Sequence, residues 1–188
     1  MKWRLPESLN IGGTDYRIRT DFRDILTILD ACNDPELDEE AKSFVMLRIF
    51  YPDLDQIPTE YVQEAVEKAV EFIDYGQKDD GRKKPQLMDW EQDADILIPA
   101  VNKVAGCEVR AVPYLHWWTF LGYYMEIGDG LFSQVVNIRY KHAHGQKLEK
   151  WEKDFERENR GICAIKKRLT AEEEAIREAE RKALEELI

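Results

Sequence analysis

Apolar residues recur three and four positions apart along most of the chain, and this spacing predicts a mainly α-helical protein. The stripes run through residues 22–29, 37–49, 58–75, 89–105, 113–127, 131–142 and 171–188. Asn, Asp, Gly and Pro separate most of them, and these residues favour turns and helix ends. The segment Gln77–Gln86 lacks apolar periodicity and is predicted to be a polar, mobile loop.

The N-terminal pattern differs from the rest. Residues 9–18 alternate around Gly12-Gly13, which predicts a β-hairpin with a two-residue turn. In that register Leu9 faces Tyr16, and Ile11 faces Thr14. A lone hairpin is only marginally stable in water, so its apolar face should pack on the helices. The predicted fold class is therefore mainly α, with a small N-terminal β-hairpin packed on a helical bundle.

The same helical pattern predicts the roles of individual residues in the core and at helix ends. Phe44 and Val70 belong to the apolar stripes of the second and third helices and should face the core. Gly76 is expected to end the third helix. Pro99 lies inside the fourth stripe and predicts a kink, because proline has no N–H to donate to the helix. Pro113 suits the first turn of the fifth helix.

The fifth helix contains the densest apolar segment, Leu115-His116-Trp117-Trp118-Thr119-Phe120. Neighbouring residues in a helix lie about 100° apart, so the two adjacent Trp side chains cannot share a face. A helix that is apolar nearly all round is normally buried on more than one side. We expect this helix to be central, with its aromatic residues forming the core.

The net charge of −11 has one source. Residues 21–74 hold 4 basic and 15 acidic residues, which sum to −11, so the rest of the chain is neutral overall. A surface of this sign repels phosphate backbones and argues against nucleic-acid binding. It suits a basic protein partner, although a solvated face that aids solubility is the favoured explanation of the charge.

Composition also bears on the compartment. The three cysteines show no CxxC spacing, which indicates a reducing cytoplasm rather than a disulfide framework or a zinc site. The first residues lack the apolar stretch of a secretory signal. The longest apolar run, residues 112–127, is too short and too rich in Tyr and Trp for a membrane span.

Composition changes near Gly145 and divides the chain in two. We predict a hairpin and helical-bundle domain over residues 1–145 and a charged helical C-terminal extension over residues 146–188. The extension carries a sparse stripe of Leu148, Trp151 and Phe155. Thr170-x-x-Glu173 is a capping box that opens its last helix. The thin apolar stripe of that helix (Ile176, Ala183, Leu184, Leu187 and Ile188) favours an exposed arm or a coiled-coil contact.

The titratable residues do not combine into a catalytic set. His116 lies between apolar residues and is expected to be a hydrogen-bonded core residue. His142 and His144 end a basic helix, where a cation is favourable, and a weak metal pair is the alternative. The acidic residues Asp89, Asp93 and Asp95 open the fourth helix, which favours a role as helix-dipole partners over a carboxylate site. We therefore predict no enzyme, no cofactor and no metal.

A family resemblance rests on three motifs and a tail. Asp93-x-Asp95, Leu115-His116-Trp117-Trp118-x-Phe120, Ile138-Arg139 and the Lys/Glu-rich C-terminus resemble the bacteriophage Gp-fifteen family over roughly residues 10–160. Its members are small acidic proteins encoded among the tail genes of long-tailed phages and prophages of Gram-positive bacteria. The family provides no active site to transfer.

The resemblance implies a tail-assembly chaperone in the host cell cytoplasm. Such a protein binds the tape measure protein and helps the tail tube protein polymerise around it, and it is compatible with self-association. The alternative is a structural tail-completion or connector protein of the virion. The candidate partner-binding residues are Trp117, Trp118, Tyr124, Leu148, Trp151 and Phe155. For the aromatic helix a purely structural role is the competing explanation, and Trp151 and Phe155 could equally pack back on the domain.

Overall fold

The computed structural model describes residues 3–76 and 85–185. Its two strands are β1 (Ser8–Ile11) and β2 (Thr14–Arg17). The helices are α1 (Phe22–Cys32), α2 (Glu39–Phe50), α3 (Val62–Ile73), α4 (Ala94–Ala105), α5 (Trp117–Met125), α6 (Leu131–Ala143), α7 (Lys150–Glu158), α8 (Arg160–Cys163) and α9 (Ala171–Glu185). Short 3-10 turns cover Leu54–Gln56, Thr59–Tyr61 and Val109–Ala111. The predicted fold class is confirmed. Most of the predicted polar loop, residues 77–84, lies outside the described residues, as do Leu187 and Ile188 of the tail stripe.

The hairpin has the predicted register. Leu9 pairs with Tyr16, and Ile11 pairs with Thr14. Gly12 and Gly13 hold φ angles of +56° and +84°, which glycine adopts without steric cost. Ile11 is buried against the helices, and the N–H of Gly12 donates to Glu64 of α3 at 3.1 Å. The helices therefore supply the support that the isolated hairpin lacks.

Most of the buried apolar side chains form one group, from Ile11 to Phe132, which we call the main cluster. It joins the hairpin, α1 to α5 and the start of α6. Within it, Phe22 of α1 stacks on Phe120 of α5 with ring centroids 4.7 Å apart. Phe50 of α2 packs against Phe72 of α3 at 5.2 Å. The central position expected for the aromatic helix is confirmed.

Two residues predicted to face the core are exposed instead. Phe44 is 60% exposed and Val70 is 43% exposed. On α2 the inward side is formed by Met46, Leu47 and Phe50. The helix α2 carries apolar residues on more than one side, so periodicity alone did not show which side meets its neighbours. In α3 the apolar residues form a single stripe, and Val70 lies at its exposed edge. The predictions for Phe44 and Val70 were wrong for these two reasons.

The aromatic helix begins later than predicted. Pro113 lies outside α5, which starts at Trp117 with His116 as its N-cap. The segment before it pairs with the start of α1: Phe22 N–H donates to the Leu115 carbonyl at 2.9 Å, and Trp117 N–H donates to the Thr20 carbonyl at 2.7 Å. These bonds hold residues 115–116 in an extended conformation, which excludes a helical start at Pro113.

A second, smaller group of buried residues lies between α6, α7 and α8. We call it the C-terminal cluster; it consists of Val135, Ile138, Leu148 and Cys163. Buried charges surround it. Glu152 of α7 is 1% exposed and accepts hydrogen bonds from Lys141 of α6 at 2.6 and 2.7 Å. The Lys141 ammonium is the largest cause that lowers the pKa of Glu152. Residues 146–163 thus pack against α6, although the predicted boundary at residue 145 remains a prediction.

The segment before α9 is also attached to the bundle. Arg168 donates to Asp30 of α1 at 2.6 Å and to Asp89 at 3.2 Å. Burial alone would raise the pKa of Asp89, but hydrogen bonds from backbone N–H groups and from Arg168 hold it below its usual value. The predicted capping box is confirmed, since Thr170 and Glu173 bond each other's backbone N–H groups at 3.0 and 3.1 Å.

Candidate functional site

The two adjacent Trp side chains of α5 connect this helix to the end of α3. The indole N–H of Trp117 donates to the Ile73 carbonyl, and that of Trp118 donates to the Phe72 carbonyl, both at 2.9 Å. These carbonyls belong to the last turn of α3, where a helix lacks the usual N–H donors four residues ahead. The Phe72 carbonyl also accepts the Tyr75 N–H at 3.1 Å. Two indoles that point in different directions from α5 therefore cap the C-terminal end of α3.

His116 completes this arrangement from the start of α5. Its Nδ1 accepts the Trp118 N–H at 3.0 Å, so in the neutral ring the proton lies on Nε2, which donates to the Pro6 carbonyl at 3.1 Å. Burial lowers the pKa of His116 below its usual value, and the Pro6 carbonyl and Glu7 partly oppose this. His116 is the hydrogen-bonded core residue that the sequence predicted.

The aromatic candidates for partner binding offer different amounts of surface. Trp117 is 1% exposed, so it presents almost nothing to a partner. Trp118 is partly buried and stacks on Phe72 at 5.4 Å. Tyr124 is partly buried, lies against Trp90 at 5.2 Å and donates its hydroxyl to Met88 Sδ at 3.2 Å. The structural explanation accounts for all of their contacts, and a binding role for them stays a prediction.

The three candidates of the extension also differ. Leu148 is buried in the C-terminal cluster, and Phe155 is partly buried against it. Trp151 is 55% exposed on the other side of α7. Trp151 is thus the one residue among the six candidates with a largely free side chain. The structure does not bring the six together on one surface.

A groove that the sequence did not predict lies beside the end of α5. It runs between α4 and the turn that joins α5 to α6, and we call it the α4–α6 groove. Its volume is about 420 Å³. Its apolar lining consists of Ile96, Pro99, Ala100, Val104, Ile127, Leu131 and Phe132. A concave apolar surface of this size lies within the range of ligand-binding sites.

Acidic groups dominate the rim of this groove. Asp95, Glu126 and Asp129 line it together with a single cation, Lys103. The groove therefore combines an apolar floor with negative charge at its rim.

A larger cleft of about 720 Å³ lies between α6, α7 and α8. Five basic side chains line it, and three of them have carboxylate partners. Arg139 bonds Asp93 at 2.6 Å, Arg157 bonds Asp154 at 2.9 Å and His142 bonds Glu156 at 2.7 Å. The charge of these three side chains is thus balanced by their own neighbours.

Arg139 makes the most extensive of these contacts. Its guanidinium bonds both oxygens of Asp93, at 2.6 and 2.8 Å. It also donates to the carbonyls of Leu87, Ile162 and Cys163, so its five N–H donors are all used. The dipole interpretation of Asp93 missed this ion pair. The two residues lie 46 positions apart, and no local spacing pointed to their contact.

Comparison with known proteins supports the family resemblance that was based on the aromatic motif. A family model described as Bacteriophage Gp15 protein matches residues 1–164. The chain belongs to the bacteriophage Gp15 family. The resemblance drawn from the His-Trp-Trp motif is confirmed. The Gp15 match includes α7 and α8 and ends before α9. Searches of curated proteins and of solved structures found no match.

Two further findings concern the described part of this Gp15 protein. Within residues 3–76 and 85–185, no three His, Cys, Asp or Glu side chains are grouped so that they could hold a metal ion. Over the same residues, no helix has both the length and the apolar character needed to cross a bilayer.

Proposed function

We propose that this Gp15-family protein is a tail-assembly chaperone, which binds the tape measure protein and promotes assembly of the tail tube around it. The α4–α6 groove carries the proposal. Uncovered apolar surface with a polar rim is typical of a site that holds another polypeptide. Membership of a phage family supports the assignment to phage assembly.

Charge supports the same role. A net charge of −11 would keep a complex with an apolar client soluble. The same charge disfavours nucleic acid as a partner. In our proposal the protein acts in the host cytoplasm, and its partners are the tape measure and tail tube proteins rather than nucleic acid or a membrane.

We propose binding rather than catalysis because the buried titratable side chains are engaged in the fold. His116 caps α5, and Asp93 holds Arg139. Burial is the largest cause that raises the pKa of the Cys163 thiol, which disfavours its nucleophilic thiolate form. The contacts of His116 and Asp93 maintain the structure, which supports a binding role.

Several copies are expected to act on one client. The tape measure protein is long, and release during tube growth requires modest affinity at each site, so binding strength would come from repeated contacts. Trp151, exposed on α7, is our candidate for additional contact with the client or with a second copy.

Co-expression tests the proposal directly. The tape measure protein encoded by the same phage genome is produced alone and together with this protein. We expect it to be insoluble alone and to co-purify as a soluble complex when this protein is present, as measured by size-exclusion chromatography. A tape measure protein whose solubility and elution do not change would contradict the proposal.

Purified virions distinguish the chaperone from a structural component. Mass spectrometry should detect the tape measure and tube proteins in mature particles but not this protein. A fixed copy number in the virion would support the tail-completion or connector protein instead.

A further inference from the structure

We propose that the α4–α6 groove binds an apolar segment of the partner polypeptide that carries Lys or Arg beside its apolar residues. This inference rests on the proposed function and specifies the chemistry of the client segment. It follows from two features of the groove: its apolar floor and its acidic rim.

The floor selects for apolar side chains. About 150 Å³ of apolar cavity holds one benzene molecule, so a groove of about 420 Å³ has room for several aliphatic or aromatic groups. Leu131, at its edge, remains 45% exposed. Covering such surface removes it from water and supplies the non-directional part of binding.

The rim selects for positive charge. The carboxylates of Glu126 and Asp129 enter no hydrogen bond or ion pair with other residues in the described ranges, so both are free to meet a cation. Asp95 adds a third carboxylate to the rim. A Lys or Arg next to the apolar residues of a client would reach these groups, which gives both orientation and faster association.

The same charges argue against a second copy of this chain as the occupant. The acidic α1–α3 region and the first turn of α9, with Glu172, Glu173 and Glu174, would be repelled by the rim. The larger cleft between α6, α7 and α8 is a weaker candidate, because three of its five basic side chains already have carboxylate partners and the other two, Lys153 and Arg160, would repel a basic client.

Three labelled synthetic peptides test the chemistry. Each is about 12 residues long, which corresponds to roughly three helical turns. One has a Leu stripe flanked by Lys, the second has the same stripe flanked by Glu, and the third keeps the Lys residues but replaces Leu with Ser. Fluorescence anisotropy should show the first binding at least about tenfold more tightly than either of the others. Equal affinity for the Lys- and Glu-flanked peptides would overturn the inference.

Two variants locate the site. Ala100→Trp fills the groove from a half-buried position on α4 and should weaken the Lys-flanked peptide by about tenfold or more. Glu126→Lys/Asp129→Lys reverses the charge of two exposed rim residues. It should weaken binding of the Lys-flanked peptide, most strongly at low salt. The matched control, Glu60→Lys/Glu180→Lys, makes the same change in net charge on other elements and should leave binding within about twofold. Circular dichroism verifies folding, and the exposed rim pair keeps the test valid if Ala100→Trp does not fold.

The outcomes separate this inference from the proposed function. If the tape measure protein is captured equally well by wild type and by both groove variants, the function stands and the groove assignment is wrong. If the Lys-flanked peptide binds in the groove but the tape measure protein is not captured, the groove chemistry stands and the chaperone proposal is wrong.

Discussion

The main cluster and the C-terminal cluster are stabilised by different interactions. Around Phe120 the contacts are aromatic rings and aliphatic side chains, and the polar groups among them are helix caps. Around Ile138 the described part of the chain places four buried apolar residues, and charged groups complete the packing: Arg139 with Asp93, and Lys141 with Glu152. The first region depends on the area it buries, whereas the second depends on pairing charges that are costly to separate.

This difference affects how each region responds to change. Apolar packing tolerates substitutions that preserve volume, whereas a buried ion pair fails when either partner is lost. The difference also affects how the stability of each region depends on pH. The pKa of Glu152 is lowered in the fold, so the stability it contributes is present above the carboxyl pKa of the unfolded chain and is lost as pH falls through the folded value. Acid should therefore weaken the contact between α6 and α7.

The largest effect is expected from Phe120→Ala. Phe120 is fully buried and lies 4.7 Å from Phe22 and 5.7 Å from Trp117, measured between ring centroids. The substitution leaves a cavity between α1 and α5 and should lower the free energy of unfolding by about 3–5 kcal/mol. Urea denaturation followed by Trp fluorescence measures this value.

Phe44→Ala is the control for that measurement. Phe44 is of the same residue type but is 60% exposed on α2, so its loss should change the free energy of unfolding by less than about 0.5 kcal/mol. Similar costs at the two positions would show that the main cluster is not where the structure places it.

The C-terminal cluster is tested by Asp93→Asn. The substitution leaves the Arg139 guanidinium buried beside a neutral amide and should cost about 3 kcal/mol. A double-mutant cycle with Arg139→Met should give a coupling energy of about 2 kcal/mol. The double variant will not recover full stability, because three backbone carbonyls also lose the donors of Arg139.

An exposed ion pair provides the comparison. Asp154 and Arg157 bond at 2.9 Å with side chains that are 44% and 65% exposed. Asp154→Asn should cost less than about 0.5 kcal/mol, since solvent screens such pairs. If Asp93→Asn costs no more than Asp154→Asn, the C-terminal cluster does not depend on its buried charges.

The two regions also differ in how far the sequence predicted them. Gly12-Gly13 gave the hairpin register because a two-residue turn fixes it, and helical periodicity located most helices. Periodicity failed at Phe44, since α2 has apolar residues on two sides. Periodicity also placed the start of α5 too early, at Pro113. The helix begins at Trp117 with His116 as its N-cap, and histidine is not among the residues that usually signal an N-cap.

The C-terminal cluster and the candidate site were harder to predict from sequence. Asp93 and Arg139 were both part of the family resemblance, yet nothing in their spacing showed that they touch. The α4–α6 groove forms where α4 packs beside the turn that precedes α6, and this placement depends on tertiary packing. Local patterns therefore gave the elements, and the contacts between distant elements required coordinates.

Among the buried positions tested, the smallest effect is expected at His116, the titratable group at the edge of the main cluster. His116→Ala removes the N-cap of α5 and should cost about 1 kcal/mol, whereas His116→Asn preserves an acceptor for the Trp118 N–H. The folded pKa of His116 is lowered by burial, so its contribution is present above the unfolded value near 6.5 and is lost as pH falls through the folded value. Stability curves measured from neutral to mildly acidic pH should therefore be flatter for His116→Asn than for wild type. Parallel curves would mean that His116 does not titrate with folding and that the main cluster is insensitive to pH in this range.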